Sequence, residues 1–598
     1  MLHALRTIFW LLISIPLCSQ PLVYSRDYFR WPVSNKPGIV ANFGELREGH
    51  WHMGLDVRTD QRENMPVYAA AEGYIAKISV HPFGFGQAIY INHPNGLTTV
   101  YGHLNKFFPP LDSILHVWQY RRESWEIELE FTKDQFPVHQ GQIIAYSGST
   151  GSSQGPHVHF EVRDSRTERC INPFLFDFPV PDDVPPVFTK LALYDRSLSL
   201  YSQDPQLFSV KKTGNTYSLK DTLIETGCSR LGFAVGAYDC VSGSTRPNGI
   251  YGARLFVDDR LASEFALDSM DYNETSYVNA HIDYKYRFDG GPYLQLLFKL
   301  PGDLGRAYKR NMDGTVVLGD DNIHLVSIQI SDVKGNTSVL KFRVRHNGKL
   351  RSASGLRQPA TYLPGSANIF EQNNFEAYLP EQSLYDSIQP VFSSDDQPFP
   401  GAVSAQFQFC DASVPIRGEM RIRIRPETPI PDDLKQKLVI KSWDRKTKHI
   451  RKAEWQKDPV SGGWVSAKFN SFGFFRALID TEPPSVNAPG RGDTMDLSVS
   501  KQIVLYPKDN TGIASFRAEL DGKWLMFTND KGAAFVYRFD ERWPYGVHRL
   551  HLIIDDLVGN RTQKDWWFKR KPVTEHKRMQ PAKKKQGTHA TQPKSKKK

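Results

Sequence analysis

From about residue 27 to 178 the chain is cut into short runs by glycine-containing turns, as in PVYAAAEGYIAKISV, GQAIYINHPNG and GQIIAYSGSTGSSQGPHVHFEVR. Apolar and polar residues alternate within these runs, which is the period of a half-buried strand. Strand-favouring aromatic and β-branched residues are plentiful, whereas helical periodicity is scarce. Strands of this length joined by such turns read as an antiparallel β domain. At 598 residues the chain is long for one domain, and several are expected.

A Pro/Asp cluster, PVPDDVPP (Pro179–Pro186), follows and marks a linker. Beyond it one pattern occurs twice. Asp183-Val184-Pro185-Pro186-Val187 opens one segment and Asp480-Thr481-Glu482-Pro483-Pro484-Ser485-Val486 opens another. They close with IQISDVKGNTSVLKFRV and LIIDDLVGNRTQKDWWF, each a strand, an Asp-x-x-Gly-Asn turn (Asp332 to Asn336, Asp556 to Asn560) and a second strand. A Gly-Asn turn between alternating runs is a hairpin signal. Two related Ig-like β-sandwiches are therefore expected, over 183–350 and 480–570. Turn chemistry accounts for the acidic residues of these turns, with Ca²⁺ binding as the weaker alternative. Between the two units, 351–373 reads as a linker and 375–479 as a further β-rich domain (MRIRIRP, KLVIKSW, GWVSAKF) without a chemical motif.

Charge is unevenly placed. Residues 571–598 hold nine Lys and one Arg against one Glu, a net +9 out of the chain's +10. The folded body is nearly neutral, which speaks against a nucleic-acid enzyme. The tail itself reads as disordered, and it could bind anionic envelope polymers by charge. At the other end, Arg6 precedes an apolar stretch from Ile8 to Cys18, about the length of a signal-peptide core and short of the ~20 residues that span a bilayer. Residues 1–25 are thus expected to be a signal peptide, cleaved after Val23-Tyr24-Ser25. Lipidation at Cys18 is not expected, because Ile15-Pro16-Leu17 puts no small residue directly before the cysteine. No later stretch is long and apolar enough to span a membrane. Of the remaining cysteines, Cys170, Cys228, Cys240 and Cys410, only Cys228 and Cys240 are close enough in sequence to suggest a pair, and four buried thiols are the equal alternative.

The chemistry is concentrated in histidines. In GPHVHFEV, His157 and His159 sit two apart, so a strand points both to one face. In GHWHMGLDVRTD, His52, Gly54 and Asp56 are spaced i, i+2, i+4; extended, all three face one way, and Gly54 leaves room for a metal. Adding His159 from a second strand gives three N/O ligands, the number a catalytic zinc takes from protein, whereas structural zinc takes four. His103 in VYGHLNKF ends another strand-like run. His50, His93 and His139 are expected to be exposed, and Ser147, Ser149, Ser152 and Ser153 to serve only the Gly-rich turn.

HMGLD, YGHL and SGSTGSSQGPHVHFEVR together resemble the lysostaphin/LytM-type zinc metallopeptidases, endopeptidases that cut peptide cross-links in peptidoglycan. The resemblance covers about residues 38–175, with all three motifs complete and in order. It implies one catalytic Zn²⁺ held by His52, Asp56 and His159, with His103 and His157 in catalytic roles. Together with the repeats and the tail read above, it gives a mainly β chain: an antiparallel β metallopeptidase domain over 27–178, then about three β-sandwich-like domains and the basic tail. The function implied is that of an exported zinc endopeptidase of the periplasm or cell envelope acting on peptidoglycan, with direct stem-peptide cross-links favoured as the bond cut. A non-catalytic amidase activator or a scaffold on the same fold is the alternative. The intact set of five residues argues against it.

The sequence departs from the family over residues 107–137, where a short connection is usual. There WEIELEF (Trp125 to Phe131) reads as an extra strand and DSILHVWQYRR as a short helix. Such an insert either walls the cleft or packs on a neighbouring domain.

Overall fold

The computed structural model describes residues 27–572 apart from 215, 310–311, 351–361, 373, 459–461 and 533. The expected signal peptide and, from residue 573, the basic tail lie outside the described residues. Among these, no helix is long and apolar enough to cross a membrane, and no disulfide joins Cys228 to Cys240.

The N-terminal β domain is built on an antiparallel sheet in the order Ile39–Ala41, Leu55–Arg58, His157–Asp164, Leu97–Phe107, Gln87–Asn92, Gly73–Val80. Period-2 alternation decides which side of it is dry. Val158, Phe160 and Val162 enter the core with Leu55, Val57, Ile89, Ile91 and Tyr101, so His157, His159, Glu161 and Arg163 share the opposite face. The register sets His159 opposite Asp56 on one neighbour and opposite Gly102 on the other.

The segment 107–137 supplies a helix, Pro109–Arg122, and a strand, Ile127–Glu130, which pairs with Gly73–Val80. Pro109 and Pro110 stand in the first helical turn, where a missing N–H costs nothing. Leu111, Leu115 and Gln119, four apart, are its buried residues. Its far end meets the last domain of the chain: the Tyr120 and Trp524 rings are 5.2 Å apart, the Arg542 guanidinium lies 3.9 Å over Tyr120, and Arg517 donates to Glu123 at 2.6 Å. Of the two roles open to the insert, the structure shows the contact with a neighbouring domain.

Beyond residue 182 the chain forms further β units. The first has ten strands, and in it Thr216–Thr226 runs parallel to Thr337–His346. The next pairs two five-stranded sheets, and the last sets five strands against two. The stretch 351–373, read as a linker, contains strand Asn368–Gln372, which pairs with Phe375–Leu379; polar residues on an edge strand hid it. The two Asp-x-x-Gly-Asn turns do the same structural work. Asn336 donates from its amide to the Asp332 carboxylate (2.6 Å) and to the carbonyl of Asp182 (3.3 Å), and Asn560 does so to Asp556 (2.7 Å) and the carbonyl of Asp480 (3.1 Å). Gly335 and Gly559 before them take φ of 93° and 80°, which a side chain would oppose. Each hairpin thereby ties down the segment that leads into its own unit.

Candidate functional site

The structure brings all five sequence-derived residues together. His52 Nε2 lies 2.9 Å from Asp56 Oδ1 and 3.0 Å from His159 Nδ1, and His159 Nδ1 lies 3.1 Å from the same Asp56 oxygen. His157 Nε2 is 3.3 Å from Asp56 Oδ1, and the His103 ring centre is 4.8 Å from that of His157 and 5.8 Å from that of His159.

The outward nitrogen of each imidazole is tied down. His52 donates from Nδ1 to the carbonyl of Asn42 (2.7 Å), His103 from Nδ1 to that of Thr150 (2.8 Å), and His157 from Nδ1 to that of Gly155 (2.8 Å). His159 donates from Nε2 to Glu161 Oε1 (2.9 Å). An imidazole whose outer nitrogen carries the proton presents a bare lone pair on the other. Four such lone pairs and a carboxylate oxygen therefore converge. His52, Asp56 and His159 could hold a metal ion.

Two local features make this possible. By strict alternation His103 would share the dry face with Tyr101. Its φ of 59° and a shift of register between Gln87 and Ile89 mark a bulge, after which Leu104 returns to the core. The bulge turns His103 to the face of His159. His103 thus stands within strand Leu97–Phe107 rather than at its end. Gly54 has a different role from the one expected. A Cβ there would lie 2.5 Å from the carbonyl oxygen of Phe160 and 3.0 Å from His159 Nε2, so glycine admits the neighbouring strand and the His159–Glu161 pair, not the metal.

Electrostatics follow from burial. Burial opposes ionisation of Asp56, yet His52, His157 and His159 around it hold its carboxyl well below the usual range. Burial, then the neighbouring His159 and His157, push His103 down to about 3, so it is neutral at working pH. Burial would raise Glu161, but Arg163 and His159 bring it to about 2.

Other partners lay outside the sequence reading. Arg47 donates to Asp56 Oδ2 at 2.7 Å, the Phe85 ring lies tilted with its centre 5.1 Å from that of His159, and Arg163 donates from Nε to Glu161 Oε2 at 2.7 Å. Tyr272, from the next unit, donates its hydroxyl to Glu161 Oε1. Glu161 and Arg163 continue the period-2 row of HVHFEVR and were within reach of that signal; Tyr272 gave none. Of the other histidines, His50 and His139 are exposed. His93 is buried instead, with Nδ1 against the carbonyl of Glu72 (2.7 Å) and Nε2 against Thr99 Oγ1 (2.8 Å). These two partners make its burial tolerable. Ser153, read as a turn residue only, also reaches His157 Nδ1 at 3.4 Å.

A β scaffold presenting two imidazoles and a carboxylate around one point, with two further imidazoles beside it, defines a site of the metallopeptidase kind. Residues 50–111 and 127–173 match the model of Peptidase family M23, and the chain carries a domain of that family. The match skips 112–126, which narrows the departure expected over 107–137 to most of the helix and the turn after it. Residues 362–480 match a Zu5-like domain. Among curated relatives, the DD-carboxypeptidase/endopeptidase Mpg of Neisseria meningitidis is 30% identical over 27% of this chain and 30% of its own length. The peptidoglycan DD-endopeptidase ShyA of Vibrio cholerae is 29% identical over 27% and 32%, and the cell division protein DipM of Caulobacter vibrioides 26% over 25% and 20%. The chain thus spans no more than about a third of these relatives' length.

Proposed function

We propose that the chain is an exported, zinc-dependent endopeptidase that hydrolyses peptide cross-links of peptidoglycan. The observation that carries this reading is the convergence of His52 Nε2, Asp56 Oδ1 and His159 Nδ1 within 3.1 Å, with both outer imidazole nitrogens acting as donors elsewhere. Burial opposes a charge on His159, yet its hydrogen bonds to Asp56 and Glu161 raise it to about 9, so a cation taken up by these three atoms would displace the His159 proton. The N/O donor set without cysteine suits zinc in a hydrolytic role. When bound, the ion supplies a Lewis acid and lowers the pKa of a water toward about 7.

His103 and His157 complete the chemistry. Each has Nδ1 anchored on a carbonyl, so Nε2 can accept a proton from the attacking water or, once protonated, donate to the oxyanion and the leaving amine. Asp56, beside three imidazoles, stays ionised throughout. The names of the relatives support peptidoglycan as substrate, and the N-terminal 25 residues support export to the periplasm or cell envelope. The basic tail would add affinity for anionic polymers there.

The test is zinc content and release of fragments from purified peptidoglycan by the chain lacking residues 1–25, beside His159→Ala. Bound zinc with cleavage that the substitution abolishes is expected. A protein that neither binds zinc nor cleaves would overturn the reading in favour of a non-catalytic envelope protein.

A further inference from the structure

A second cluster of charged groups lies away from the histidine site. Carboxylate oxygens of Asp182, Asp239 and Asp332 come within 4.8 Å of one another. Asp182 belongs to the linker, Asp239 follows strand Arg230–Tyr238, and Asp332 follows strand Ile323–Ser331. Asp239 is 3% exposed, and its Oδ1 has no hydrogen-bond partner among the described residues. A buried, unmet carboxylate oxygen beside two more carboxylates costs several kcal/mol unless a cation or proton meets it, on the order of the penalty for any unpaired buried charge. The oxygens border a cavity of about 20 Å³, lined also by Asn42, Phe43 and Phe174 of the peptidase domain, which is room for a single water or ion.

The chain contains its own comparison. In the last unit Asp480, Asp509 and Asp556 form the corresponding triad in the same chain order. There the residues after the middle aspartate are Asn510 and Thr511. Asn510 donates to Asp480 at 3.1 Å, and the Thr511 hydroxyl reaches both Asp480 (2.9 Å) and Asp509 (2.7 Å). In the first unit the same two places hold Cys240 and Val241, which supply no such donors. Ser242 is turned to Asp183, and the Lys334 ammonium is bonded to Asp177 at 2.8 Å. Two units that open and close alike thus carry the same carboxylates, and an asparagine serves the last aspartate of each, but only in the last unit do further neutral side chains meet the other two.

We propose that Asp182, Asp239 and Asp332 bind one divalent cation of the calcium type at the joint between the peptidase domain and the first sandwich. An oxygen-only donor set drawn from three separate segments suits Ca²⁺, which accepts irregular shells of six to eight oxygens, better than Mg²⁺ with its strict octahedron. Without the ion, burial and mutual repulsion raise Asp239 to about 7 and Asp182 to about 6, so binding releases protons at mildly acidic pH. The ion would lock the linker to the sandwich. Asn42, which lines the cavity, holds His52 through its carbonyl, and its side chain exchanges two hydrogen bonds with Gly249. The joint and the histidine site therefore share a residue.

The test uses the chain lacking residues 1–25, dialysed against EGTA and then into chelator-free buffer, and titrated with Ca²⁺ by calorimetry beside a melting curve. One Ca²⁺ per chain is expected, with a raised melting temperature. Asp239→Asn should weaken binding by at least about 100-fold, since it removes one of three charged ligands. It should also melt no lower than the Ca²⁺-free parent, because it removes repulsion. Asp182→Asn, on the half-exposed linker, provides the same test should Asp239→Asn not fold, and Asp509→Asn should bind normally. No heat and no thermal shift up to about 10 mM, well above the range of weak extracellular sites, would overturn the proposal. So would binding that survives both first-unit substitutions or is lost with Asp509→Asn.

Discussion

Glu161 accepts the Nε2–H of His159 at 2.9 Å on one oxygen while Arg163 donates to the other at 2.7 Å. A carboxylate behind a ligating imidazole fixes its tautomer and raises its basicity. Glu161→Gln keeps the shape and removes the charge, so zinc affinity should fall by about 10–100-fold, as read by competition with a chromogenic chelator. Tyr272→Phe removes the hydroxyl that the next domain places on Glu161. It should shift affinity in the same direction by less.

Lys531, in the last unit, donates from its ammonium to the carbonyls of Ser149 (2.6 Å) and Ser153 (2.5 Å), and Asp530 accepts from Gly151 N–H at 2.7 Å. The clasp rests on the segment whose Thr150 carbonyl holds His103. His52, Asp56, His103 and His159 are each no more than 6% exposed, and the clasp fixes a segment that packs against one of them. Lys531→Ala should therefore speed fragment release several-fold at unchanged zinc content, with faster amide exchange over 149–153. Slower release would show instead that the clasp supports the catalytic shelf.

Stability should fall on acidification. Burial lowers His281 to about 4, with Gln295 its partner, and lowers His93 to about 4 as well. Both folded values lie below the unfolded ~6.5, so the unfolded chain binds more protons between them. Stability is full above about pH 6.5 and is lost as pH falls toward 4, by about 3 kcal/mol for each group. Asp239 and Asp182 act in the opposite sense, since their folded values are raised. Denaturant titrations at pH 7 and pH 4.5 should show a smaller loss for His281→Gln than for the parent.

Gly54→Ala forces a methyl group to within 2.5 Å of the Phe160 carbonyl oxygen. Overpacking of this kind costs about 1–3 kcal/mol, and here it also displaces His159. Lower melting temperature and loss of bound zinc should appear together. Loss of zinc alone, at unchanged stability, would contradict the steric account.

The histidine site was largely legible because each of its parts is local. HxGxD and HxH each state their geometry through the two-residue period of a strand, and a one-residue slip would destroy both. The same period runs on to Glu161 and Arg163. His103 was legible as a residue but not as a direction, since only a bulge turns it toward the site. His93 was misjudged because a turn motif such as NHPNG says nothing about what covers it. The two Asp-x-x-Gly-Asn turns could be read as hairpins, but their hold on the linkers depends on residues about 80 to 150 positions away.

By itself the sequence determined the β character of the chain, and it marked the recurring opening and closing segments and the five residues that the fold brings together, because strand alternation and turn chemistry are short-range. Only the tertiary structure decided that Tyr272 stands behind Glu161, that Lys531 clasps the Ser149–Ser153 segment, and that Asp239 has an oxygen unmet among the described residues beside Asp182 and Asp332. Those contacts join segments more than a hundred residues apart, or depend on burial, which is a property of the packed whole. No local pattern in the chain encodes them.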